Sequence, residues 1–251
     1  MKTIYLWTNE GWKPFDFDAE ETKLALKERN IQIRYSAEIG DSVKIGDYAK
    51  IGYSAEIGDS AEIGDSAEIG NYAKIGYYAK IGYSAEIGDS TEIGNYAKIG
   101  DYAKIGNYAK IGDSVKIGDY AKIGYYAKIR YSAKIGDSVK IGNYAKIGDS
   151  AKIRDSVKIG DYAKIGDSAE IGDSAEIGDK EIILKTIFIT GTKHSVLWYG
   201  KDVIHIGCHK KEISWWLENY EMIGRKEGYT DEEIQEYHQY ILICEAIQKT
   251  L

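Results

Sequence analysis

The chain has 251 residues, a formal net charge of −7, one proline, two cysteines and 28 glycines. An apolar fraction of 43% with 29% charged residues describes a folded chain and excludes a disordered one. Two cysteines, Cys208 and Cys244, are too few for a disulfide framework, and no apolar run approaches the roughly 20 residues of a membrane span.

After Met1 and Lys2 the sequence reads TIYLWT, with no apolar segment long enough for a signal peptide. A cytoplasmic or virion-associated protein without membrane contact is expected. Residues 1–32 read as an N-terminal cap, with a strand near Thr3–Thr8 and a helix starting after Asp18 and running to about Arg29.

From Ile33 to Glu176 there is no Trp, Phe, His, Cys, Met, Pro, Leu or Gln, so the only core-forming side chains are Ile, Val, Ala and Tyr. Isoleucine recurs every six residues from Ile33 through Ile177 without a miss. The unit is I-G-[DNY]-[SY]-[AVT]-[KE], as in Ile57-Gly58-Asp59-Ser60-Ala61-Glu62, with Arg occasionally replacing Gly. A period of six fits neither a helix nor one long strand; it fits a short strand followed by a corner. Alternation then puts the small residue and Ile on one face, with Lys or Glu between them on the other. Gly and the following Asp, Asn or Ser are expected to make the bend, through positive φ or local side-chain turns. The array is expected to end near residue 180, where Ile177-Gly178-Asp179-Lys180-Glu181 loses its small residue.

These 24 in-phase units resemble the hexapeptide-repeat, left-handed parallel β-helix family over residues 33 to about 180. The resemblance implies an all-β solenoid of about eight triangular coils of 18 residues, about 38 Å long at the interstrand spacing of roughly 4.8 Å. It also implies side-by-side trimers. Enzymes of the family are acyltransferases that use acetyl-coenzyme A or an acyl carrier protein, with a histidine base on a coil or an inserted loop. A second branch is carbonic anhydrases with three histidine zinc ligands. This array has no histidine and no inserted loop, so neither set of residues has positions here to occupy. No catalytic residue, cofactor or metal is assigned.

Residues 181–251 read as a C-terminal α+β module. Strands are expected over Ile182–Thr190, Ser195–Tyr199 and Val203–His209, with turns at Gly191 and Gly200-Lys201. Helices are expected from Glu212 to Arg225 and over Asp231–Lys249, the second opened by the capping box Thr230/Glu233. Its apolar stripe of Ile234, Tyr237, Tyr240 or Ile241, Cys244 and Ile247 should pack on Trp215, Trp216 and Leu217. The block IGCHKKEISWW with EIQEY resembles a C-terminal module of phage-like proteins. All four histidines, His194, His205, His209 and His238, fall in this module. Alternation along one strand sends His205 and His209 to one face and Cys208 to the other, making Cys208 a small core residue rather than a zinc ligand or nucleophile.

Charge is banded along the array. Residues 33–92 carry net −6, residues 93–164 net +7 and residues 165–176 net −4. From Lys98 to Lys164 the outward strand position is Lys twelve times running. At 18 residues per coil, Tyr108, Tyr126, Tyr144 and Tyr162 fall in one corner column, with Lys110, Lys128, Lys146 and Lys164 beside them. Such a ladder suits a polyanion or acidic glycan held by charge and ring stacking. The overall acidity argues against general nucleic-acid binding.

Together these features point to a non-catalytic structural or interaction protein: a rigid scaffold or fibre-like spacer, homo-oligomeric and most simply a trimer. The alternative is an acyltransferase drawing its base from the C-terminal histidines.

Overall fold

The computed structural model describes residues 2–183, 185–200 and 202–250. Leu184, within the expected strand Ile182–Thr190, and Lys201, in an expected turn, lie outside the described residues. No helix among the described residues is long and apolar enough to cross a membrane.

β1 (Thr3–Thr8) and β2 (Gly11–Asp16) form an antiparallel hairpin, and α1 (Glu20–Glu28) follows. β1 and α1 match the expected elements; β2 is additional. β1 pairs in parallel with the array strand Val43–Ile45, setting Ile4 opposite Val43 and Leu6 opposite Ile45. Ile4 and Leu6 are buried and continue the apolar ladder one rung below the first coil, while Ala25 of α1 and the rings of Phe15 and Phe17 join the same core. The free edge falls on β2, whose Pro14 lacks an N–H and blunts further pairing.

From β3 (Gln32–Ile33) to β28 (Ile182–Ile183), two- and three-residue strands recur at six-residue intervals, in the parallel β-solenoid of about eight coils that the repeat implies. Each strand pairs in parallel with strands 18 residues away, so Ile99 lies opposite Ile81 and Ile117. Three sheets result. The first contains Lys98–Ile99, the second Lys104–Ile105 and the third Lys110–Ile111. Ile and the small residue are buried inside, and Thr91, the one hydroxylic small residue, donates its Oγ1–H to the Gly106 carbonyl at 3.1 Å.

The corners follow the expected chemistry at Ser and depart from it at Gly and Tyr. Positive φ falls on the Ser or Tyr two residues after Gly's isoleucine-following position begins the bend, as at Ser114 (58°) and Tyr108 (60°), and not on the array glycines. An L-residue there costs roughly 1–2 kcal/mol. Each such corner is held by a bond to the coil below, with Tyr108 N donating to Asp89 O at 2.9 Å and Ser114 N to Asn95 O at 2.8 Å. Glycine is required for a different reason, which is close approach. A Cβ on Gly118 would lie 2.7 Å from both Gly136 C and Asp137 N of the next coil. The Asp or Asn that follows is an inter-coil acceptor. Asp119 Oδ1 takes the N–H of Asp101 at 2.8 Å, and Asp137 Oδ1 takes that of Asp119 at 2.8 Å.

The array runs one strand further than its sequence suggests. Lys180 adopts the corner conformation (φ 59°) and β28 pairs with Lys164–Ile165, closing the third sheet. β29 (Ile187–Thr190), β30 (Ser195–Trp198), β31 (Ile204–Ile206) and β32 (His209–Lys211) then form an antiparallel sheet in chain order. Its two faces serve two cores. Leu197 of β30 and the following Tyr199 join the array core; Val196 and Trp198 join Ile204, Ile206 and the helices α2 (Ile213–Lys226) and α3 (Asp231–Gln248). α3 buries Ile234, Tyr237, Ile241 and Cys244 as the stripe requires, and its capping box is formed by Thr230 and Glu233.

Candidate polyanion-binding surface

The lysine and tyrosine columns arise from the 18-residue register. In the third sheet Lys110, Lys128, Lys146 and Lys164 stand directly opposite one another on successive strands, side chains outward. Tyr108, Tyr126, Tyr144 and Tyr162 occupy the corner joining the second and third sheets, all with φ between 57° and 60°. Their rings stack with centroids 4.8, 5.0 and 4.8 Å apart and planes within 2–6° of parallel. The eight residues line one groove of about 890 Å³. Ser90 and Glu92 lie at its lower end, and Lys180 and Ile182 at its upper end. Those four are absent from the sequence-derived site. Lys180 was legible in principle, since it stands 18 residues after Tyr162.

Stacking changes the role open to the tyrosines. Tyr126 and Tyr144 each have both ring faces covered by neighbours in the column, so the wall of the groove presents ring edges and hydroxyls rather than faces. Each ring nonetheless remains 43–50% exposed.

Ion pairing sets which lysines are free. Where Glu and Lys alternate between coils they pair, as Lys74 with Glu56 at 2.8 Å and Lys80 with Glu62 at 3.0 Å. At the lower end of the groove Lys110 pairs with Glu92 at 2.7 Å. Lys128, Lys146 and Lys164 have no carboxylate partner among the described residues. The second sheet behaves alike on the other side of the tyrosines: Lys104 pairs with Glu86 and Lys158 with Glu176, leaving Lys122 and Lys140 without one.

The acceptor position of each corner distinguishes this edge from the other two. Beside the tyrosine column it reads Asn107, Tyr125, Asn143 and Asp161, with a single acid. The corner between the first and second sheets has Asp101, Asp119, Asp137 and Asp155; the remaining corner has Asn95, Asp113, Tyr131 and Asp149. The tyrosine edge is therefore the most positive line along the solenoid.

The histidines occupy distinct settings in the C-terminal module. Gly207-Cys208 is the turn of a hairpin, with Gly207 at φ 57°, so His205 and His209 are not on one continuous strand. His209 lies opposite Ile206 and its ring meets Trp216, whereas His205 lies opposite Lys210 on the array-facing side, against Tyr199. The two histidines thus face opposite ways, and Cys208 is exposed in the turn rather than buried; Cys244 is the core cysteine. His194 Nδ1 contacts the Tyr229 hydroxyl, and His238 stacks on Tyr220 with centroids 4.1 Å apart. No cluster of three metal-ligating side chains occurs among the described residues.

His205 gives the junction a pH dependence. Burial, reinforced by Lys210, pushes its pKa down to about 4, although Glu181 opposes the shift. The neutral ring is favoured in the folded state, so its contribution is full above the unfolded value near 6.5 and is lost as pH falls toward 4. Acidification from pH 7 to 4 is expected to weaken the module by about 1 kcal/mol, since the partly hydrated ring does not realise the full shift. Hydrogen exchange in β30 and β31 measures this: the protection factors, referred to intrinsic exchange at each pH, fall at pH 4 in the parent chain, and His205→Gln flattens the difference.

A model of the family described as bacterial transferase hexapeptide (six repeats) matches residues 36–71 and 96–131. No curated protein matches the chain. Among solved structures, the chain is similar to a UDP-N-acetylglucosamine O-acyltransferase from Moraxella catarrhalis, at 17% identity over 87% of this chain and 90% of that one, with a TM-score of 0.42. The Arabidopsis UDP-N-acetylglucosamine acyltransferase is 18% identical over 82% and 76%, with a TM-score of 0.39. That of Francisella novicida is 21% identical over 82% and 75%, with a TM-score of 0.32.

Proposed function

We propose that the chain, a hexapeptide-repeat β-helix by its array, is a rigid non-catalytic scaffold that displays its lysine–tyrosine edge to a polyanion. One observation carries this reading: Lys128, Lys146 and Lys164, with no carboxylate partner among the described residues, lie along a stacked tyrosine wall, on the corner with the fewest aspartates. Like charges directly opposite on neighbouring strands destabilise a sheet, and an anionic partner along the row removes that repulsion. The array itself contributes no imidazole for proton transfer. A homo-oligomer, most simply a trimer, would present several such edges at once and raise avidity.

Binding of labelled heparin by fluorescence anisotropy tests the proposal. Affinity should fall steeply with salt as counterion release is lost. Lys128→Gln with Lys146→Gln should weaken binding about 10-fold or more, about 1.4 kcal/mol. The same charge change on the first sheet, Lys116→Gln with Lys134→Gln, should weaken it far less. Equal losses from the two pairs, or no binding by the parent, would overturn the assignment.

The transferase repeat favours acyl transfer as a second reading. Its base would come from His194, His205, His209 or His238. Acetyl-coenzyme A should then raise the melting temperature by mass action, with the rise abolished when all four are replaced.

A further inference from the structure

Resting on that polyanion reading, we infer that the groove takes an extended acidic polysaccharide carrying one carboxylate per sugar unit. The first ground is repeat length. The floor offers one lysine and the wall one tyrosine per coil, with the rings 4.8–5.0 Å apart. An extended chain of pyranose units advances by about one ring length per unit, comparable to this interstrand spacing of roughly 4.8 Å. In an extended chain successive units alternate in orientation, so every second sugar turns its carboxylate to the lysine row while the units between turn hydroxyls to the tyrosine hydroxyls. Duplex DNA is poorly matched, because the phosphates of each strand advance about 3.4 Å along the helix axis and wind away from a straight row.

The second ground is the state of the aromatic rings. Nucleotide recognition on aromatic platforms uses free ring faces. Here Tyr126 and Tyr144 are stacked on both sides, with planes within 2–6° of parallel, and admit no base between them. What remains is a line of hydroxyls with no hydrogen-bond partner among the described residues, suited to the hydroxyl groups of a sugar. A polymer that supplies only charge, such as inorganic polyphosphate, would leave these hydroxyls unused.

The third ground is footprint. Glu92, paired with Lys110, closes the lower end of the positive row, and Lys180 extends the upper end one coil beyond Tyr162. Lys128, Lys146, Lys164 and Lys180 are then the four cations of the row with no carboxylate partner among the described residues, so the site is about four sugar units long.

Isothermal titration with oligogalacturonates of two to eight units, at fixed ionic strength, tests the inference. Affinity should climb with each unit up to about four and then level off. Inorganic polyphosphate and oligo-dT of equal charge should bind about 10-fold more weakly. Tyr126→Phe with Tyr144→Phe preserves the ring stack and removes two hydroxyls; it should weaken the galacturonate about 5- to 10-fold, as loss of such bonds does, and leave polyphosphate unchanged. Polyphosphate or oligo-dT binding as tightly as the galacturonate, or insensitivity of the galacturonate to the Phe pair, would overturn the sugar assignment while leaving the polyanion reading intact. Failure of all three polymers to bind would overturn both.

Discussion

Replacing Gly100 by valine is expected to destabilise the chain by about 2–4 kcal/mol, within the range for forced overpacking aggravated by broken hydrogen bonds. The backbone at Gly100 does not have positive φ, so the demand for glycine there is steric. A Cβ would sit 2.4 Å from Asp119 Oδ1, 2.5 Å from Gly118 C and 2.6 Å from Asp119 N. Two of those atoms are backbone, and the coils cannot part without stretching Gly100 N to Ile117 O (2.7 Å) and Asp101 N to Asp119 Oδ1 (2.8 Å). The chain contains its own control, because three units carry Arg in place of Gly. Arg34 lies over the Tyr53 ring, Arg130 pairs with Asp149 at 2.7 Å, and Arg154 pairs with Glu170 at 2.7 Å and covers the Phe188 ring at 4.3 Å. At Arg130 the neighbouring coil has yielded: a Cβ on Gly112 would meet Arg130 C at 3.0 Å, looser than at Gly100, and Asp149 Oδ1 is left without a hydrogen-bond partner among the described residues. Gly100→Arg should accordingly cost less than Gly100→Val, because its guanidinium can recruit Asp119. Urea denaturation of the two variants decides it. A valine variant as stable as the parent would show that the coil spacing is soft.

Truncating Ile123 to alanine should cost about 2–5 kcal/mol, the range for deleting a buried branched side chain and leaving a cavity. Ile123 is 3% exposed and lies between Ile105 and Ile141 of the adjacent coils, so neither neighbour can fill the space without breaking its own register. The position also tests cooperativity. A solenoid is held by nearest-neighbour contacts, and a weak central rung can divide it into two units. The urea transition is therefore expected to shift to lower midpoint and to broaden. The equivalent change at Ile177, on the last strand of its sheet, should shift the midpoint less and leave the slope unchanged. Equal effects at both positions would mean that the array melts as one block.

The repeat by itself determined the six-residue unit of strand and corner; its resemblance to the hexapeptide family implied three sheets and an 18-residue coil, and with them the alignment of Tyr108–Tyr162 with Lys110–Lys164. A strict period of six with outward Lys or Glu keeps every Ile inward on each side of the coil, whatever multiple of six separates paired strands. The C-terminal helices were equally legible, because a capping box and an apolar stripe are local signals. Tertiary structure decided what depends on neighbours from other coils. Only stacked coils reveal that glycine is needed for clearance, that the corner Asp accepts an N–H from one coil earlier, and that positive φ falls on Ser and Tyr. The turn at Gly207-Cys208 had no clear local signature against a background of alternating residues. Strand alternation therefore placed Cys208 inside and the two histidines together, whereas the hairpin exposes Cys208 and turns His205 and His209 apart. In the groove, sequence supplied the columns but not the fate of the ring faces. Side chains repeated every coil, at a spacing close to aromatic stacking distance, satisfy one another, and what they leave outward is hydroxyl edges beside Lys128, Lys146 and Lys164, which have no carboxylate partner among the described residues.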